Sequence, residues 1–220
     1  MSVIKFQKHI QKIKERAMRN KNINYNARML INELLIEPEI AFYVRQLKDK
    51  RYEVFLHSLN VAYLAAEIFF SNRDLFEKYD NDYLKETVTG ALLHDIGKLK
   101  ISNTILLKKG KLTPAERKRI EKHPELGYNM VKNNPYFSDR TKNIILSHHE
   151  KVDGSGYPSG KQREDLPFSV QIVTICDIYD ALTEDRTYRQ KASIRKAFDV
   201  IINTSIDTDK FIFLAACSDL

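Results

Sequence analysis

Apolar residues recur along this chain at three- and four-residue spacing, and the alternation expected of strands is scarce. Val3, Phe6, Ile10, Ile13 and Ala17 set the pattern at the start. They predict an amphipathic helix that serves either as a short coiled-coil seam between two copies or as a helix laid on its own domain. Residues 20–26 interrupt the pattern. It resumes over 27–37, and Pro38 opens a further helix towards Leu47. Residues 52–71 read as a long buried helix with Val54, Val61, Leu64 and Ile68 on one stripe and His57 on the same face. A helix over 84–96 follows, stopped by Gly97. Thr113, Pro114 and Glu116 have the order of an N-cap, an N1 proline and a capping-box glutamate. Pro124 disfavours helix at His123 and places it at a junction. Residues 140–148 predict a helix that ends on His148, residues 151–166 a loop, and residues 168–182 a strongly apolar helix. The expectation is an all-α fold: one helical domain over 27–220, preceded by a basic helix over 1–26.

Composition adds bounds. The chain has 220 residues, 43% hydrophobic and 30% charged, enough apolar material to bury a core. No run of eighteen apolar residues occurs, so no membrane span is expected, and the first residues lack the apolar stretch of a signal peptide. Cys176 and Cys217 are far apart and unpatterned, which fits a reducing, cytoplasmic setting. The net charge of +7 favours anionic partners. The basic block with Lys108, Lys109, Lys111, Arg117, Lys118 and Arg119 lacks interleaved aromatics. It reads as a solvated helix face rather than a nucleic-acid surface.

The chemistry concentrates in histidines and acids. His57, His94, His123, His148 and His149 lie on or beside apolar helical segments, and only His9 sits in the basic N-terminal stretch. Asp177 lies among Ile172, Val173, Ile175 and Ile178. A carboxylate in such surroundings needs a cation, either a metal or a neighbouring Arg or Lys. His94-Asp95 and His148-His149 are adjacent pairs, and adjacent residues on a helix diverge by about 100°. A carboxylate can bridge two metals, so paired neighbours suit a cluster better than a single tetrahedral zinc. Imidazole and carboxylate without thiolate favour iron, manganese or zinc. Glu53 lies one turn before His57 and either faces the same site or pairs with a neighbour such as Lys50.

These residues carry a resemblance. His57, HDIGK from His94, His123 before Pro124, HHEKVDGSGYPSG from His148, and DIYDAL from Asp177 occur in the order and spacing of the HD-GYP family. That family is a branch of the HD-domain metal-dependent phosphohydrolases, and the likeness is densest over residues 50–190. It implies a helical bundle holding a di- or trinuclear iron or manganese centre. It also implies hydrolysis of cyclic di-GMP to linear pGpG and, in many members, on to GMP. Carried over position by position, His57, His94, Asp95, His123, His148, His149 and Asp177 are metal ligands, with Asp95 bridging. Glu53 would mark members with a third metal. Lys98 would touch the scissile phosphate, and Gly156, Tyr157, Pro158, Arg186 and Arg189 would shape the dinucleotide site. Two metals near a phosphodiester activate water and stabilise developing charge, and a lysine beside them neutralises a phosphate oxygen.

The resemblance has departures. The segment from Phe211 to Cys217 is apolar but short and lacks the pattern expected of a closing helix. Residues 1–26 are too few for the receiver or sensor domain that many members carry. Control is therefore expected from a partner, from dimerisation, or from nothing visible in the sequence; the partners expected are diguanylate cyclase (GGDEF) domains and a second copy of the chain. Two further readings compete with cyclic di-GMP hydrolysis. One is hydrolysis of another cyclic dinucleotide such as cyclic GMP-AMP. The other is a non-enzymatic nucleotide sensor or docking module.

Overall fold

The computed structural model describes residues 25–71 and 76–183, so the basic N-terminal helix, Arg186, Arg189, Cys217 and the Phe211–Cys217 stretch lie outside the described residues. Nine α-helices and two short 3-10 turns make up the described fold. Helix α1 (Tyr25–Ile36) buries Ala27, Leu30, Ile31 and Leu34, the i, i+3, i+4, i+7 stripe of a helix with one face on a core. Helix α2 (Pro38–Lys50) opens on its proline and buries Ile40, Ala41, Val44 and Leu47.

Two helices are apolar nearly all round and therefore lie in the middle. Helix α3 (Tyr52–Ser71) packs against α1, α2, α4 (Asn81–Leu93) and α9 (Phe168–Thr183). Its Val61, Ala62, Ala65 and Ala66 are fully buried. By length and composition α3 could cross a membrane, which the absence of eighteen unbroken apolar residues had argued against. Its burial, 56% of the apolar stretch, marks it instead as the core helix of this bundle. Asp80 caps α4, accepting a hydrogen bond from the Tyr83 amide at 2.7 Å. Every residue of α4 from Thr87 to Leu93 is buried.

Helix α4 ends at Leu93, short of the expected 96, and Gly97 is not its stop. The chain tightens into a 3-10 turn, Ile96–Lys100, that runs through Gly97. The glycine is required by contact: a Cβ there would lie 1.9 Å from the His123 carbonyl oxygen and 2.6 Å from the Gly127 amide. This close approach seats the turn on helix α7 (His123–Val131) and brings the HDIGK segment to His123. Between them run α5 (Asn103–Leu106) and α6 (Pro114–Ile120), the latter opened by the capping box expected at Thr113 and Glu116. Lys109, Lys111, Arg117, Lys118 and Arg119 are exposed, the solvated face anticipated for this block. Helix α8 (Asp139–Ser147) packs on α4 and α7 and delivers the histidine pair at its C-terminus.

Candidate metal centre

Five segments converge on one polar pocket in the bundle. His57 comes from the second turn of α3, His94 and Asp95 from the end of α4, and His123 from the first position of α7. His148 is the C-cap of α8, and Asp177 lies in the middle of α9. These six residues are buried to 6% exposure or less, and His149 is half-buried. The donor atoms of His57, His94 and Asp177 lie within 4.8 Å of one another. The same holds for His94, Asp95 and His148, and for His123, His148 and His149.

Backbone contacts fix which ring nitrogens face inward. His94 Nδ1–H donates to the Ala91 carbonyl at 2.7 Å, His123 Nδ1–H to Ile120 at 2.8 Å, and His148 Nδ1–H to Ile145 at 3.0 Å. Each ring therefore directs its Nε2 into the pocket, where the neutral imidazole offers a lone pair. His123 Nε2 and His148 Nε2 face each other at 3.1 Å. His94 Nε2 and Asp95 Oδ1 are buried and make no hydrogen bond. Asp95 Oδ2 lies 3.5 Å from His94 Nε2 and 3.9 Å from His57 Nε2, while Oδ1 lies 3.1 Å from His123 Nε2 and 3.9 Å from His148 Nε2. Buried polar atoms that converge in this way, with His94 Nε2 and Asp95 Oδ1 left without a hydrogen-bond partner, are costly unless a cation sits among them. The donor set, imidazole and carboxylate with no thiolate, fits a divalent metal. The two oxygens of Asp95 face different histidines, His57 and His94 on one side and His123 and His148 on the other, the disposition a bridging carboxylate needs.

Electrostatics follow from the packing. Burial alone would raise the Asp95 carboxyl, but Lys98, His94 and His123 hold it well below the usual carboxylate range. Asp177 is held low in the same way by His57, His149 and His94 against its burial. Burial depresses His94 and His148, and pushes His149 down to about 3. His57 goes the other way. Burial opposes its protonation, yet Asp177 and Asp180, one on each ring nitrogen at 2.9 and 2.7 Å, raise it to about 9.

Lys98 reaches the rim, with Nζ 2.5 Å from Asp95 Oδ2. The glycine-rich loop folds back over the histidine pair. The Tyr157 amide donates to the His149 carbonyl at 3.2 Å, and the Tyr157 ring lies on the His149 ring with centroids 4.8 Å apart. A Cβ at Gly156 would lie 2.4 Å from the Lys151 amide and 2.5 Å from Glu150 Cα, so only glycine lets the loop approach this closely. The Tyr157-Pro158 peptide is cis. Burial first, then the Asp95 and Asp177 carboxylates, raise the Tyr157 hydroxyl. Glu53 is exposed in the first turn of α3 and belongs to none of the three donor groups.

A family model described as HD domain matches residues 75–209, a span that takes in His94, Asp95, His123, the histidine pair and Asp177. The chain belongs to the HD domain family. Its resemblance to the HD-GYP branch, read from the motifs, agrees with that match. A cyclic di-GMP phosphodiesterase of Pseudomonas aeruginosa is 32% identical over 157 residues, 71% of this chain and 37% of that protein. A 3'3'-cGAMP-specific phosphodiesterase of Vibrio cholerae is 38% identical over 133 residues, 59% of this chain and 29% of that protein. The chain thus spans about a third of the length of these relatives. Among solved structures, an HDG"Y"P protein from Bdellovibrio bacteriovorus superposes with a TM-score of 0.60 at 19% identity, covering 97% of this chain and 78% of that one. That likeness shows the fold.

In this HD domain two buried acids beside the centre escaped the sequence reading. Asp180, 1% exposed, bonds His57 Nδ1 and so fixes which nitrogen of that ring faces Asp177 and Asp95. Glu150, also 1% exposed, bonds the loop beyond Tyr157. The signal for Asp180 was available: it follows Asp177 by three residues, on the same side of a helix with few other polar positions. Glu150 had no periodic signal, because it lies past the end of α8.

Proposed function

We propose that this chain is a metal-dependent phosphodiesterase that opens cyclic di-GMP to linear pGpG, with product analysis deciding whether hydrolysis goes on to GMP. The observation that carries the proposal is the Asp95 carboxylate, buried between two histidine groups with one oxygen towards each. In this reading His57, His94, Asp95, His123, His148, His149 and Asp177 hold two divalent ions, iron or manganese, with Glu53 available to a third. When bound, such ions supply Lewis acidity to the phosphodiester and lower the pKa of the attacking water. The chain's own groups do the rest. Asp95 and Asp177 supply the negative charge that keeps the cations in place. Lys98, at the rim beside Asp95, neutralises a non-bridging phosphate oxygen as charge develops. Tyr157, with one face on His149, offers the other to a guanine. Gly156 and Pro158 set the course of that loop, and Arg186 and Arg189 bind phosphate.

The names of the relatives support a cyclic dinucleotide as substrate. A second reading, cyclic GMP-AMP, is favoured by the Vibrio cholerae relative, which matches at comparable identity. The wider proposal is a catalytic domain over 27–220 acting in the cytoplasm. Residues 1–26 pair two copies, and diguanylate cyclase domains are the partners.

The test is hydrolysis by protein prepared without oxygen and loaded with Fe(II) or Mn(II). Both cyclic dinucleotides are offered, products are resolved by chromatography and metal is counted per chain. Turnover of cyclic di-GMP with two or three metals per chain supports the proposal. Preference for cyclic GMP-AMP moves it to the second reading, and a full metal complement with no turnover of either sinks it.

A further inference from the structure

Glu150 is the one fully buried carboxylate beside the centre that belongs to none of the donor groups and pairs with no cationic side chain among the described contacts. Its two oxygens are instead divided between two backbone amides. Oε1 accepts from Ser159 N–H at 2.7 Å and Oε2 from Lys161 N–H at 3.0 Å, on either side of Gly160. Ser159 is exposed and Lys161 half-exposed, so neither amide has a helix or sheet to protect it. Charge-assisted bonds of this kind are stronger than neutral ones, and burial removes competition from water.

The two amides belong to the outgoing arm of the glycine-rich loop, just beyond Tyr157-Pro158. The incoming arm is held at Gly156 by its contact with the Glu150 backbone, and Tyr157 N–H is held by the His149 carbonyl. Lys161 Nζ also donates to Asn143 Oδ1 at 3.2 Å and Ser147 Oγ at 3.0 Å on α8. A single buried side chain thus ties the far end of the loop to the residue next to the histidine pair.

We propose that Glu150 is a positioning residue that latches the glycine-rich loop over the centre and holds the Tyr157 ring on His149. It sets where the substrate rests without touching either metal or substrate. The kinetic part of this inference rests on the proposed function, and the latch itself does not. The committed geometry also argues against a role as general base, since both oxygens already accept strong hydrogen bonds.

The test uses the full chain, metal-loaded, as Glu150→Gln and Glu150→Ala. Amide exchange at Ser159 and Lys161 is followed by NMR, with metal content and steady-state kinetics alongside. Glutamine keeps the shape but only one acceptor, so at least one of the two amides exchanges about tenfold faster or more; alanine releases both. Metal content stays at the wild-type value. KM for the cyclic dinucleotide rises by up to about 10²-fold while kcat changes less, as expected when a substrate-positioning element loosens. Wild-type exchange at both amides in the glutamine variant overturns the latch, whether or not the alanine variant folds. Loss of metal in step with activity also overturns it, because Glu150 would then act on the centre itself. If the wild type hydrolyses no cyclic dinucleotide, the functional reading fails, and the exchange rates still decide the latch.

Discussion

On the Oδ2 side of Asp95 stand His57, His94 and Asp177, with Asp180 behind His57. On the Oδ1 side stand His123 and His148, with His149 beside them. The first half is rich in carboxylate, and the second is almost wholly imidazole. In the first half His57 lies between Asp177 and Asp180 and is raised to about 9, so at neutral pH a proton on its ring offsets the acids. The second half has no such recourse. His148 and His149 are depressed, His123 and His148 have their Nδ1–H groups committed to carbonyls, and their Nε2 atoms lie 3.1 Å apart. One half holds a proton on His57 when no metal is bound, whereas in the other burial disfavours a proton on His148 and His149.

The comparison breaks most completely at the residue both halves share. Asp95→Ala is expected to abolish turnover and to strip metal from both halves, read as ions per chain and as hydrolysis of cyclic di-GMP. Full activity in this variant would remove the centre from the mechanism. Lys98→Ala comes next. It is expected to lower kcat by about 10²–10³-fold, the size of a lost electrostatic stabiliser, with metal content unchanged. Parallel loss of metal would instead make Lys98 a structural partner of Asp95. Asp180→Asn sharpens the distinction between the halves. Removing the carboxylate behind a metal-ligating histidine costs about 10–100-fold in metal affinity. A metal titration should then show one weakened site and one unchanged site. Equal weakening of both would mean that the halves are a single coupled unit.

Much of this arrangement was legible in the sequence, for a definable reason. His57 and Asp177 sit in helices apolar nearly all round, where a polar side chain stands out against its neighbours. The adjacent pairs His94-Asp95 and His148-His149 are irregular for a plain amphipathic helix, and the irregularity pointed to more than one metal. What was not legible depends on contact rather than pattern. Gly97 looked like a helix stop, and its reason is the carbonyl of His123, twenty-six residues on. Glu150 lies past the end of α8 with no periodic signal, and only the fold-back of Ser159 and Lys161 shows that it is buried. The end of α4 was placed too late because the 3-10 turn keeps the same apolar residues buried with a different period.

The smallest expected effect tests the two halves through protons alone, in metal-stripped protein. His57 is raised from 6.5 to about 9, so its contribution to stability is complete below about pH 6.5 and is lost as pH rises through 9. His149 is lowered from 6.5 to about 3, so its contribution is present above about pH 6.5 and is lost as pH falls towards 3. His94 and His148 are shifted in the same direction as His149 and add to that acid arm. The melting temperature of the stripped protein should therefore peak near pH 6.5 and fall on both sides. The alkaline fall belongs to His57 in the carboxylate-rich half, and the acid fall to the depressed imidazoles, His94 of that half with His148 and His149 of the other, joined at lower pH by Asp95 and Asp177. His57→Gln should flatten the alkaline arm and leave the acid arm, and His149→Gln should do the reverse in part. Excess Mn(II) should also remove the alkaline arm, because a ligated His57 has no proton to lose as pH rises. A melting temperature that does not change between pH 6.5 and 9 in the stripped wild type would mean that His57 is neutral there. The acids of the first half would then need a metal as much as the imidazoles of the second.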